Sequence, residues 1–310
     1  LKILIMGTGG VGGYYGGLLA KQGNHVMFVA RGDHLAAIQQ NGLTVRSIHG
    51  DFGVAPASVT GDAREVGPVD LILFCTKTYH TDDAAMAIRP AVGPQTSVLS
   101  LQNGVDAPER IGKVVGMEHM LGGATWLSSA VEAPGVIRQV SQFRLIVFGE
   151  LDGTHSERIQ SIRELFKSTG IDVEISGNIL QVLWTKFVFI SSASSFGSLT
   201  RLPMSEYRNI SQTRAMIRSL MEEVEAVARA QDIALDDDVV QQSLQFMDQA
   251  APQIKASMQL DVASGRRTEL ESMVGVIGRK GRELGVATPV ADFVYASLLP
   301  VEVKALNEKE

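Results

Sequence analysis

Lys186 stands inside the apolar run Val182-Leu183-Trp184-Thr185-Lys186-Phe187-Val188-Phe189-Ile190. A lysine in such company must snorkel to solvent, find a partner, or face a cleft. Snorkelling is the structural alternative. Facing a cleft is the functional one, because an ammonium there is a candidate for acid chemistry. On a helix, Lys186, Ile190 and Ser194 fall on one face. A second pattern with chemical content opens the chain, where Gly7-Thr8-Gly9-Gly10-Val11-Gly12 fits G-x-G-x-x-G. Gly7 permits a sharp turn, Gly9 lets backbone approach a pyrophosphate, and Gly12 lets the next helix pack on the preceding strand. Phosphate then meets the free N–H groups and positive dipole end of that helix. These six residues are expected to bind a dinucleotide, with Gly13, Gly16 and Gly17 letting the helix lie close to its neighbours.

The elements around the glycines support this reading. The apolar run Lys2-Ile3-Leu4-Ile5-Met6 reads as a buried parallel strand. A helix is expected over 14–22 and a second strand over 26–29. An NAD site places a carboxylate near the end of that strand. Here the chain reads Val29-Ala30-Arg31-Gly32. A guanidinium could clamp a 2′-phosphate through forked hydrogen bonds, which favours NADP, while a solvated arginine is the plainer alternative.

Further along, helices are expected at 33–41, 81–89, 107–114 and 156–168. Strands are expected at 43–47, 52–59, 69–75 and 97–101, with those at 120–127, 135–139 and 144–148 continuing the sheet and one at 172–175 finishing the first domain. Strand 69–75 leads into Thr76-Lys77-Thr78 and strand 97–101 into Gln102-Asn103-Gly104. Ligands of open α/β sheets bind beyond such strand ends. After Asn178 the period changes to 3.6. Helices are expected at 179–195, 210–231, 236–249, 252–263, 268–284 and after Pro289, with a frayed tail at 307–310. Capping boxes read at Asn178 with Gln181 and at Thr268 with Glu271. The fold class is therefore α/β, a Rossmann-type dinucleotide-binding domain over 1–176, plus an all-α domain over 177–310. A cleft between two such domains is the usual place for a substrate.

Composition sets the outer bounds. The 310 residues are 45% apolar and 20% charged, as in ordinary globular proteins, and their number suits two domains. The net charge of −6 argues against nucleic acid as a partner. Cys75 is the single cysteine, so no intramolecular disulfide or thiolate metal cluster can form, and the six histidines show no ligand spacing, so no metal is expected. The opening residues read as a strand rather than a signal peptide, and the chain starts at Leu1 without methionine. No stretch approaches the ~18 uninterrupted apolar residues of a membrane span, so a cytoplasmic protein without a membrane partner is expected. The apolar stripes of the long helices could serve a homodimer or simply be core.

Taken together, these residues resemble the 2-dehydropantoate 2-reductases (ketopantoate reductases) over essentially the whole chain. The resemblance rests on the glycine loop with Gly16, Ala30-Arg31-Gly32, Thr76-Lys77-Thr78, Gln102-Asn103-Gly104, Pro134-Gly135, Trp184-x-Lys186, Ser257, and Arg267-Thr268-Glu269. It implies NADPH-dependent reduction of a small 2-keto acid, 2-dehydropantoate to pantoate, in pantothenate biosynthesis. By the same resemblance Arg31 and Lys77 would meet the 2′-phosphate. Asn103 would lie near both nicotinamide ribose and substrate, and Lys186 would be the general acid. Glu269 would hydrogen-bond the substrate hydroxyl or the cofactor, and Ser257 the substrate carboxylate. The family carries asparagines four and eight residues after the lysine, both contacting substrate; here Ile190 and Ser194 stand there. Isoleucine offers no hydrogen bond, so a reductase for a more apolar 2-keto acid is a rival reading; a non-catalytic NADPH-binding sensor is another, against which the presence of Lys186 and Glu269 argues. Ile190 is also expected to lower the pKa of Lys186 by desolvation.

Overall fold

In the computed structural model, residues 1–308 are described. Of the tail expected at 307–310, Asn307 ends a helix, and residues 309–310 lie outside the described residues. The chain forms two compact units: Leu1–Gln102 with Ala107–Ile179, and Asn103–Asp106 with the residues from Leu180 onward.

The strands of the first unit, in chain order, are β1 (Lys2–Met6), β2 (His25–Val29), β3 (Leu43–Ser47), β4 (Phe52–Val54), β5 (Ser58–Thr60), β6 (Val69–Phe74), β7 (Val92–Ser100), β8 (Met120–Trp126), β9 (Ser129–Ala133), β10 (Val136–Gln139), β11 (Leu145–Glu150) and β12 (Asp172–Ile175). Its helices are α1 (Gly10–Lys21), α2 (Gly32–Asn41), α3 (Thr81–Ile88), α4 (Ala107–Val115) and α5 (Glu157–Lys167). Eight strands make the main sheet in the order β12-β11-β8-β7-β6-β1-β2-β5. All neighbours run parallel except β8 and β11. Strands buried on both faces need unbroken apolar runs, and β1 and β6 supply them. Ile3, Ile5, Leu71 and Leu73 pack with Tyr14, Leu19 and Phe28 in one core layer. Their alternates Leu4, Met6, Ile72 and Phe74 pack with Ile88, Val98 and Ile111 in the other.

A second sheet, β4-β3-β10-β9, departs from the expected single sheet. The run 52–59 is not one strand: β4 pairs with β3 in the second sheet, and β5 pairs with β2 at the edge of the first. Pro56 lies between them with no N–H for either ladder. Strand β10 does not continue the main sheet either. It turns back on β9 at Gly135, whose φ is +75°, and pairs on its other side with β3. Helix α1 lies against both sheets, and its glycines make this fit. A Cβ on Gly16 would lie 2.6 Å from Ile5 and 2.8 Å from Phe28 in the main sheet layer. One on Gly13 would lie 2.7 Å from Ile137 of β10.

The second unit is helical: α6 (Ile179–Thr200, whose first residue still belongs to the first unit), α7 (Met204–Tyr207), α8 (Ser211–Arg229), α9 (Val239–Gln249), α10 (Ser257–Ala263), α11 (Val276–Leu284) and α12 (Pro289–Asn307). Trp184, Phe187 and Val188 of α6 share a core with Leu220, Val224, Leu244, Ile277 and Val294. No run of ~18 uninterrupted apolar residues occurs, but by length and mean hydropathy alone α6 is long and apolar enough to cross a membrane, with 22 residues and a mean hydropathy of 1.3 over its best window. Its serines and threonines weigh little against Phe, Ile and Val on such a scale. Most of that window is buried inside the protein, as in the core helix of a globular fold. The capping box at Thr268 is also built differently. Thr268 Oγ1 accepts from Leu270 N, but the carboxylate that receives the Thr268 N–H, at 2.8 Å, is Glu302 of α12. Glu271 instead pairs with Arg279, and a π-turn over Glu271–Gly275 precedes α11.

Candidate functional site

In the first unit, register brings four strand ends into one row. Met6 lies opposite both Val29 and Phe74, and Phe74 opposite Ser100. The glycine loop after β1 therefore lies between Arg31, just beyond β2, and Lys77, just beyond β6. Gly7 has φ +99°, and a Cβ there would lie 2.9 Å from the Thr76 nitrogen. Thr8 is buried, with its N–H and Oγ1 both donating to Val29 O at 3.0 and 2.9 Å. A Cβ on Gly12 would fall 2.1 Å from Gly7 O, so only glycine closes this turn. Around Gly9, by contrast, an added Cβ would meet nothing within 4 Å. Gly9 is the N-cap of α1, whose first turn holds no acidic residue. Open space over a glycine at a helix N-terminus, with orphan N–H groups and no carboxylate to repel an anion, fits a pyrophosphate.

Arg31 is exposed and N-caps α2 in an extended conformation. Lys77 is half-buried and precedes the short turn Thr78–His80. That turn is held by Gln102, which is buried and donates from Nε2 to Thr76 O at 2.9 Å and to Thr81 Oγ1 at 3.0 Å. The peptide fixed at Thr76 O is the one that leads into Lys77. Cys75, at the end of this strand, carries a thiol pushed up to about 12 by desolvation, so it is not a nucleophile at neutral pH.

In the second unit, the structure joins two of the expected residues directly. Lys186 Nζ donates to Asn103 Oδ1 at 3.1 Å. Burial pulls the Lys186 pKa down to about 8, the direction expected from its apolar neighbours. Ile190, one turn further on, packs against the helical core, and Ser194 is buried at 2% exposure. Asn103 reaches the lysine because the four residues after Gln102 belong with the helices. Gly104, with φ +97°, lies near Ser272 O, and Asp106 lies 3.8 Å from Arg279. Glu269 is buried, and its carbonyl accepts from Met273 N at the start of the π-turn. Ser257 is exposed on the first residue of α10 and makes no hydrogen bond to Lys186 or Asn103 among the described residues.

Sequence reasoning did not single out His34 or the amide contacts of Gln102. A lone histidine in a first helical turn carries no spacing signal, and Gln102 shows only as part of a motif. No group of three or more His, Cys, Asp or Glu able to hold a metal is found among the described residues.

Comparison with known proteins adds the family. The ketopantoate reductase PanE/ApbA family matches residues 3–153, and its C-terminal counterpart matches residues 178–302. The chain is 29% identical over 304 residues to the oxidoreductase YkpB of Bacillus subtilis (strain 168), covering 98% of this chain and 100% of that one. It is similar to the crystal structure of a PanE/ApbA family ketopantoate reductase from Ralstonia eutropha JMP134, with a TM-score of 0.91 and 31% identity over 99% and 100% of the two chains. It is also similar to D-mandelate dehydrogenase in its ternary structure with NADH and anilino(oxo)acetate, with a TM-score of 0.90 and 25% identity over 98% and 99% of the chains. The chain thus belongs to the ketopantoate reductase PanE/ApbA family and is a nicotinamide-dependent oxidoreductase acting on CH–OH groups.

Proposed function

We propose that this protein reduces 2-dehydropantoate to pantoate with NADPH, residues 1–176 binding the cofactor and residues 177–310 supplying the acid. The observation that carries this reading is the Lys186 ammonium, held by Asn103 at 3.1 Å and lowered to a pKa of about 8. When bound, the reduced nicotinamide supplies a hydride. Negative charge then develops on the ketone oxygen, and Lys186 both stabilises that charge and delivers the proton. A pKa near the working pH makes the ammonium a better acid than an ordinary lysine. Asn103 accepts one Nζ–H and so helps to orient the ammonium. Gly7, Thr8, Gly9, Gly10, Val11 and Gly12 form the pyrophosphate loop, and Arg31 and Lys77 hold the 2′-phosphate. Glu269 holds the substrate hydroxyl or the cofactor, and Ser257 the substrate carboxylate.

A second reading, a more apolar 2-keto acid as substrate, is favoured by Ile190 and Ser194. Ile190 presents no hydrogen-bonding group where the family carries asparagine, and a site that lacks a polar partner selects against a polar substrate. The likeness to D-mandelate dehydrogenase supports it as well. The test follows NADPH oxidation by absorbance with a panel of 2-keto acids. Turnover of 2-dehydropantoate at ordinary efficiency supports the first reading. Turnover only of apolar 2-keto acids supports the second. NADPH binding with no turnover at all would overturn both in favour of a sensor.

A further inference from the structure

His34 is half-buried in the first turn of α2, three residues after Arg31, and its ring is engaged at both nitrogens. Nδ1 lies 2.9 Å from Gly135 N, and Nε2 lies 2.8 Å from Thr8 O. An amide N–H only donates, so Nδ1 is the acceptor and carries no proton. The proton is therefore on Nε2, which donates to the Thr8 carbonyl, a group that only accepts. The contacts on the two sides determine the tautomer.

That carbonyl belongs to the peptide between Thr8 and Gly9. In a trans peptide the C=O and N–H point in opposite directions. A ring that draws the Thr8 carbonyl toward itself turns the Gly9 N–H away from α2. The space around Gly9 is open, and the residue before it is held by two hydrogen bonds to Val29 O. The loop is thus clamped on its β2 side and steered on its α2 side, and the steering bond comes from His34. The histidine is itself braced by Gly135, at the turn between β9 and β10.

We propose that His34 is a positioning residue for the cofactor: by fixing the Thr8–Gly9 peptide plane, it aims the Gly9 N–H at the bound pyrophosphate. The assignment rests on reading the loop as a dinucleotide site. Burial lowers the His34 pKa below its ordinary 6.5, so the neutral ring that both contacts require is the resident form at neutral pH.

The test uses the full-length protein without turnover. Calorimetric titrations compare NADPH with adenosine 2′-monophosphate, which carries the 2′-phosphate but no pyrophosphate. For His34→Ala the expected result is an NADPH affinity about tenfold weaker, the size of one lost hydrogen bond to a charged group, with adenosine 2′-monophosphate affinity kept within about twofold. His34→Gln, whose amide still donates to Thr8 O and accepts from Gly135 N, recovers most of the loss. Equal weakening of both nucleotides would mean general damage to α2 and would overturn the assignment, as would unchanged NADPH binding in His34→Ala. Wild-type protein that binds neither nucleotide would instead remove the dinucleotide reading itself, and the assignment with it.

Discussion

The loop between β1 and α1 and the middle of α6 handle charge in opposite ways. In the loop, side chains are missing where a ligand's charge must come close. Gly9 is open, and the helix end behind it offers N–H groups and no carboxylate. In α6, one charge is kept among apolar side chains, and the amide oxygen of Asn103 accepts from it. The first arrangement favours a permanent anion. The second makes an ammonium easier to deprotonate, which a proton donor requires. On the proposed reading, binding and proton supply are carried by chemically different devices in different units, and substitutions should separate them.

The largest separation is expected at Lys186. Lys186→Ala should lower kcat by about 10²–10⁴, the usual range for a lost general acid, while NADPH affinity stays within about twofold. Turnover measured beside a fluorescence titration checks this, and parallel loss of binding would break the comparison. Next come two glycines of one loop that should fail differently. Gly9→Ala has room for its methyl group, so its unfolding temperature should hold while NADPH affinity falls by about tenfold or more. Gly12→Ala forces a methyl to 2.1 Å from Gly7 O and 2.9 Å from Ile5, and should cost about 1–3 kcal/mol of stability. Thermal unfolding curves distinguish them.

Arg31→Ala should reduce the preference for NADPH over NADH by about tenfold, since hydrogen bonds to charged groups contribute roughly 1.5–3 kcal/mol. The ratio of kcat/KM with the two cofactors reads it out, and an unchanged ratio would return Arg31 to the role of a solvated helix cap. The smallest effect belongs to specificity. Ile190→Asn should shift kcat/KM toward 2-dehydropantoate over apolar 2-keto acids by several-fold, about 1 kcal/mol. No shift would mean that this turn of α6 does not meet substrate.

Much of this is legible in the sequence. The G-x-G-x-x-G spacing, the run Lys2–Met6 and the switch to a 3.6 period after Asn178 each reflect local physics, and those elements stand within a few residues of expectation. The environment of Lys186 is legible too, because seven of the eight residues that flank it between positions 182 and 190 are apolar whichever way the helix faces. What stayed hidden depends on partners distant in sequence. Nothing local says that β10 pairs with β3, ninety residues earlier in the chain, rather than extending the main sheet. Thr268 looked locally capped by Glu271, but the carboxylate that reaches it comes from α12. His34 has no signal at all until Gly135 and Thr8 are seen on either side of its ring.

The pH dependence of kcat/KM for ketone reduction tests the central claim most directly. Lys186 is competent as an acid only while protonated, and burial lowers its pKa to about 8. The reductive rate should therefore be full below that pH and fall through it, while the reverse oxidation, which needs a base, rises over the same interval. A reductive rate that stays level until about pH 10, where an ordinary lysine titrates, would contradict the assignment of a desolvated Lys186 as the proton donor.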